Sequence, residues 1–82
     1  MHITQRFCKG EIPFVYMVDA IAADGFDVFS VCQGIDGVWH AWIRVETLER
    51  DTRLEAAVNR GLDAGAKALH SIETSTPEKR TA

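Results

Sequence analysis

Apolar residues crowd the stretch from Val28 to Val45, VFSVCQGIDGVWHAWIRV, in two runs rich in β-branched and aromatic side chains on either side of Asp36-Gly37. Runs of that length and make-up read as strands. Asp-Gly between two such runs is among the strongest short-range hairpin signals, because a two-residue type I′ turn needs positive φ at both central positions. A tight turn at Asp36-Gly37 pairs Gln33 with His40, Val31 with Trp42 and Phe29 with Arg44 on one face. Cys32 with Ala41, Ser30 with Ile43 and Val28 with Val45 then share the other. Both faces carry large apolar residues, so each is expected to need a cover.

Upstream, Phe14 to Ala22 reads FVYMVDAIA, rich in aromatic and β-branched residues, and closes on Ala23-Asp24-Gly25, a second Asp-Gly signal. This predicts another strand of the same sheet. With a two-residue turn, one face collects Phe14, Tyr16, Val18, Phe29, Val31, Ile35, Val38, His40 and Trp42. A three-residue loop with a bulge would exchange the faces of that first strand. Residues 1–8 alternate weakly, with Ile3 and Phe7 on one side and Thr4 and Arg6 on the other, as a short edge strand does.

After Val45 the character changes. Thr52-Arg53-Leu54-Glu55 fits a capping box, in which hydroxyl and carboxylate satisfy each other's orphan amides. From there Leu54, Val58, Gly61, Leu62, Gly65, Leu69 and Ile72 fall in one sector at 100° per residue, which predicts an amphipathic helix over residues 52–72. Gly61 and Gly65 lie in the middle of that stripe, each costing about 1 kcal/mol of helix propensity against Ala. Their expected use is to admit a bulky sheet side chain, Trp39 or Trp42, close to the helix axis. The predicted fold is therefore α+β: an antiparallel β-meander of three strands, or four if residues 1–8 join its edge, followed by one C-terminal helix packed on one sheet face. Residues 1–74 make a single small domain, and Ser75 to Ala82, STPEKRTA, a flexible polar tail.

Composition narrows the class of partner. With 46% hydrophobic and 26% charged residues the chain is ordinarily globular, and its formal net charge of −3 gives no overall attraction to a phosphate backbone or an anionic membrane. Two cysteines are too few for a secreted disulfide framework, so a cytoplasmic protein with reduced thiols is expected. The apolar run from Ile12 to Ala23 follows Arg6 and Lys9 like a signal peptide, but Glu11 and Asp19 argue against that reading, and no run spans a bilayer.

Candidate chemistry is sparse. Cys8, Cys32, His2, His40 and His70 stand at no metal-ligand spacing, so neither a metal nor a cofactor is expected. Cys32 and His40 lie near one turn, yet that register sends them to opposite faces, which makes Cys32 a small core hydrophobe and His40 a sheet-surface or interface histidine. Asp19, inside the first predicted strand, is read as accepting a hydrogen bond from Ser30 across the ladder rather than as a catalytic acid. The glycines belong to a hairpin and a helix, not to a phosphate loop. Arg53, Arg60 and Lys67 recur every seven residues on the helix, and with Tyr16, Phe29 and Trp42 they outline a single-strand nucleic-acid binder. The negative total charge ranks this second.

One helix cannot cover both sides of the sheet, and the uncovered side would expose more apolar surface than soluble monomers tolerate. The expected function is thus a non-enzymatic protein-interaction or regulatory module, homodimeric through its sheet or bound to another protein, with Tyr16, Val18, Phe29, Val31, His40 and Trp42 at the interface. A third reading is a small ligand binder or enzyme whose pocket forms between subunits around His40 and Asp19.

Overall fold

The computed structural model describes residues 2–47 and 49–75, which form β1 (His2–Cys8), α1 (Glu11–Ala23), β2 (Asp27–Gln33), β3 (Trp39–Val45) and α2 (Glu49–Ser75). The class is the expected one: α+β, with a three-stranded antiparallel sheet and the C-terminal helix on one side of it. The strand order is β1-β3-β2. The third strand is residues 2–8 rather than 14–22, and it lies on the far side of β3. β1 and β2 are thereby parallel with β3 between them, a split β-α-β unit with α1 as its connection. The tail expected over 75–82 lies outside the described residues, except that Ser75 ends α2.

Residues 14–22 are helical because packing overrides local propensity. Phe14, Met17 and Ile21 are buried at spacings of three and four, so one helical stripe reaches the core, whereas a strand would have divided these residues between two faces. Pro13 sits in the first turn, where its missing N–H leaves no intrahelical bond unmade. Asp24-Gly25 ends the helix instead of turning a hairpin. Gly25 adopts φ 93°, its N–H donates to the Ala22 carbonyl at 3.0 Å, and the Phe26 N–H donates to the Ile21 carbonyl at 3.3 Å. That is a Schellman motif, with buried Phe26 supplying the accompanying apolar contact.

The second Asp-Gly does turn a hairpin, but with one residue more than expected. Gly37, at φ 85°, donates to the Gly34 carbonyl at 2.9 Å, and the Gly34 N–H donates to the Val38 carbonyl at 2.8 Å. This three-residue loop pairs Gln33 with Trp39, Cys32 with His40, Val31 with Ala41 and Ser30 with Trp42. A bulge at Phe29 then shifts the register, so that Val28 meets Ile43 and Asp27 meets Arg44. Every predicted cross-strand pair therefore moves by at least one residue. The inner face of β3 becomes Trp39, Ala41, Ile43 and Val45, and His40, Trp42 and Arg44 turn outward.

Both helices lie on that inner face. The core joins Ala41, Ile43 and Val45 to Phe14, Met17 and Ile21 of α1, to Leu54, Ala57 and Val58 of α2, and to Phe26. Met17, Ile21, Ile43, Val45 and Leu54 are fully buried, each stabilising the fold by about 1.5–3 kcal/mol relative to exposure. The helices run antiparallel and cross at the two glycines. A Cβ on Gly61 would stand 2.5 Å from Met17 Cα, and one on Gly65 would stand 2.6 Å from Pro13 Cα. The glycines thus admit the backbone of α1, not Trp39 or Trp42 as the sequence implied; Trp39 stacks on Phe14 instead, at 5.6 Å between ring centroids.

α2 begins three residues before Thr52, its first turn marked by the Arg50 N–H donating to the Thr47 carbonyl at 3.1 Å. The expected capping box is consequently inside the helix, and the Glu55 carboxylate pairs with Arg6 of β1. The His2 ring approaches the Asp51 carboxylate at 3.3 Å, so this end of α2 lies over the first strand.

Candidate functional site

With both helices on one side, strand alternation leaves the other side of the sheet uncovered among the described residues. β1 contributes Ile3, Gln5 and Phe7, β3 contributes His40, Trp42 and Arg44, and β2 contributes Asp27, Phe29, Ser30 and Cys32. Exposure grows toward the free edge of β1: His40 and Trp42 on the central strand are half-buried, whereas Ile3 is 55% and Phe7 67% exposed. Central residues have a strand on either side to shield them, and β1 has one only on the β3 side.

Four polar side chains on this face bond in two pairs, Gln5 with His40 and Arg44 with Asp27. Gln5 Nε2 donates to His40 Nδ1 at 2.8 Å, which holds the imidazole between Phe7, 5.9 Å away, and Trp42, 6.0 Å away between ring centroids. Arg44 Nη1 donates to Asp27 Oδ2 at 2.7 Å while its guanidinium lies 4.2 Å over the Phe29 ring. The cation is neutralised and its flat face covers an aromatic. What remains available is an apolar surface with few unsatisfied polar groups.

Of the six residues read from sequence as an interface, Phe29, His40 and Trp42 do come together here. Val31 does not: it pairs with Ala41 and turns to the helix side, where it is 50% exposed on the edge strand β2. Tyr16 and Val18 are separated from all of them because they ride on α1, Tyr16 against the crossing with α2 and Val18 against the core. Ile3, Gln5 and Phe7 were absent from that set. Their signal was the alternation of residues 1–8, which placed Ile3 and Phe7 on one side without fixing which face that was.

The one-residue change of register brings Cys32 and His40 directly opposite each other on the same face, contrary to the sequence expectation. No hydrogen bond joins them among the described residues. The imidazole Nδ1 is instead engaged with Gln5 Nε2 at 2.8 Å, so the ring's hydrogen-bond partner is the amide and not the thiol. The other proposed pairing, His40 with Asp19, is broken by the fold. Asp19 is on α1 in the helical layer, exposed, and Ser30 is on the outer face of the sheet. Among the described residues no group of three or more His, Cys, Asp and Glu is placed to hold a metal ion.

A cleft of about 310 Å³ opens where the end of α1, the start of β2 and the end of β3 meet, lined by Gly25, Phe26, Asp27, Arg44, Glu46 and Arg50. Its two cations are already engaged. Arg44 holds Asp27, and Arg50 donates to the Asp24 carbonyl at 3.5 Å and lies 4.6 Å over the Phe26 ring. Nearby, Arg53 and Arg60 approach the Asp24 carboxylate at 3.4 and 3.9 Å, so the basic stripe of α2 is turned toward α1 and away from the open sheet. No helix among the described residues is long and apolar enough to cross a membrane. No family model, curated protein or solved structure matches the chain.

Proposed function

We propose that the protein is a small non-enzymatic interaction or regulatory module of the cytoplasm that associates through its sheet, first of all with a second copy of itself. One observation carries this reading: Ile3, Phe7 and Phe29 are exposed beside Trp42 and His40 on the side that neither helix covers. Removing such a surface from water contributes about 25 cal/mol per Å², and a second copy brings the same surface with it. The free thiols of Cys8 and Cys32 fit a reducing compartment. Size-exclusion chromatography with light scattering tests the reading. Twice the chain mass of 9.1 kDa at micromolar concentration supports it, and 9.1 kDa overturns it.

A second reading, binding of single-stranded nucleic acid, is favoured by the row of rings formed by Phe7, His40 and Trp42. It is weakened by the cations. Arg44 is paired with Asp27 on that face, and Arg53 and Arg60 belong to the helical layer. Salt-dependent binding of an oligonucleotide, lost in Trp42→Ala, would raise it above the first.

A further inference from the structure

We infer that two copies join along their β1 strands, antiparallel and two-fold about Gln5, so that the two sheets become one of six strands with all four helices on the same side. The inference rests on the self-association proposed above and names the contact through which it occurs.

Among the described residues the sheet has two free edges, β1 and β2, and they differ. β2 is interrupted by the bulge at Phe29 and flanked by the Asp27–Arg44 ion pair, both of which blunt an edge against pairing. β1 is unbroken: all seven residues from His2 to Cys8 pair in register with β3, with no proline and no bulge. Among the described residues, no backbone hydrogen bond from β1 reaches anything but its neighbour β3. One side chain reaches the strand's backbone, Arg6 Nη1 donating to the Gln5 carbonyl at 2.9 Å, a local bond that a pairing strand would replace. The other outward backbone groups are a template for another strand, and the two barest apolar side chains of the sheet, Ile3 and Phe7, flank them.

The register follows from the side chains. Pairing about Gln5 sets Ile3 of one copy beside Phe7 of the other twice over, Thr4 beside Arg6 twice, and His2 beside Cys8 twice, using the whole strand. Shifting by two residues in one direction places Arg6 opposite Arg6, like charges face to face, and in the other sets Ile3 beside Gln5 and loses the Ile3–Phe7 pairs. Shifting by one sets the apolar residues against polar ones and divides the helices between two sides. Charge favours the same arrangement. Arg6 is balanced by Glu55 of its own chain and faces Thr4 of the copy, so no like charges are set against each other in this register. A seven-residue antiparallel pairing spans about 23 Å and adds about six to eight backbone hydrogen bonds.

The test uses a side-chain pair on the helix side of β1, which sheet-to-sheet stacking of the open faces would leave apart. In the variant His2→Cys/Cys32→Ser the new thiol stands opposite the native Cys8 of the second copy, and mild oxidation is expected to yield a covalent dimer at least about tenfold more abundant than in Cys32→Ser alone. Light scattering of the reduced variant and of the wild type accompanies it. A dimer in light scattering without the disulfide overturns edge pairing and leaves self-association standing. A wild type of single-chain mass overturns both.

Discussion

A Cβ added to Gly61 of α2 would come within 2.5 Å of Met17 Cα of α1, closer than packed atoms approach, so the helical layer exists in this form because position 61 has no side chain. Gly61→Ala should destabilise the protein. Overpacking of about 3 kcal/mol outweighs the roughly 1 kcal/mol of helix propensity regained. Gly65→Ala, whose Cβ would meet Pro13 Cα at 2.6 Å, should act in the same direction. Ala64→Gly, at an exposed position of the same helix, should cost only about 1 kcal/mol. Urea denaturation of the three variants checks the contrast. Equal small effects would mean that the helices do not cross at the glycines.

Gly25→Ala places a side chain at φ 93°, at the C-terminal cap of α1. The strain is expected to cost about 1–2 kcal/mol, seen as a lowered midpoint of unfolding at an unchanged denaturant slope. Asp24→Ala beside it should cost less than about 1 kcal/mol, because its partners Arg53 and Arg60 are more than half exposed.

In the sequence, the two Asp-Gly pairs looked alike, and the difference between them is physical. Asp36-Gly37 lies between two short runs rich in β-branched and aromatic residues and turns a hairpin. Asp24-Gly25 follows a segment whose Phe14, Met17 and Ile21 fit a helical stripe equally well, and the presence of valines, isoleucine and tyrosine hid that period. The sheet-plus-helix class, the long amphipathic helix and the edge strand at residues 1–8 were legible because each rests on a repeated spacing. The site was only partly legible. Which face a strand residue occupies depends on loop length to the residue, and one extra residue at Gly37 together with a bulge at Phe29 reassigned every pair of the hairpin. Tyr16 and Val18 left the candidate surface for a related reason: their segment is a helix. Gly61 and Gly65 were correctly read as a close approach, but a single sequence does not name what approaches.

His40→Ala should leave the alkylation rate of Cys32 within about twofold of wild type at neutral pH, because the imidazole is bonded to Gln5 and no hydrogen bond joins it to the thiol among the described residues. Rates measured with a maleimide or a disulfide reagent decide this. A tenfold or greater fall would show that the opposed Cys32 and His40 act as a pair.

Phe7→Lys should lower self-association without unfolding the chain, since Phe7 is 67% exposed and lies outside the core. Its melting temperature extrapolated to low concentration should match that of the wild type, with the concentration dependence lost. Met17→Ala, at a fully buried position, should do the opposite and cost about 2–5 kcal/mol of stability.

Backbone amide hydrogen exchange, followed in dilute and in concentrated protein, tests most directly that this chain associates through its sheet and not through its helices. The account predicts that concentration slows exchange in residues 2–8 and leaves residues 49–75 unchanged. Protection that is the same at both concentrations, or that rises along α2 while β1 stays as it was, would contradict it.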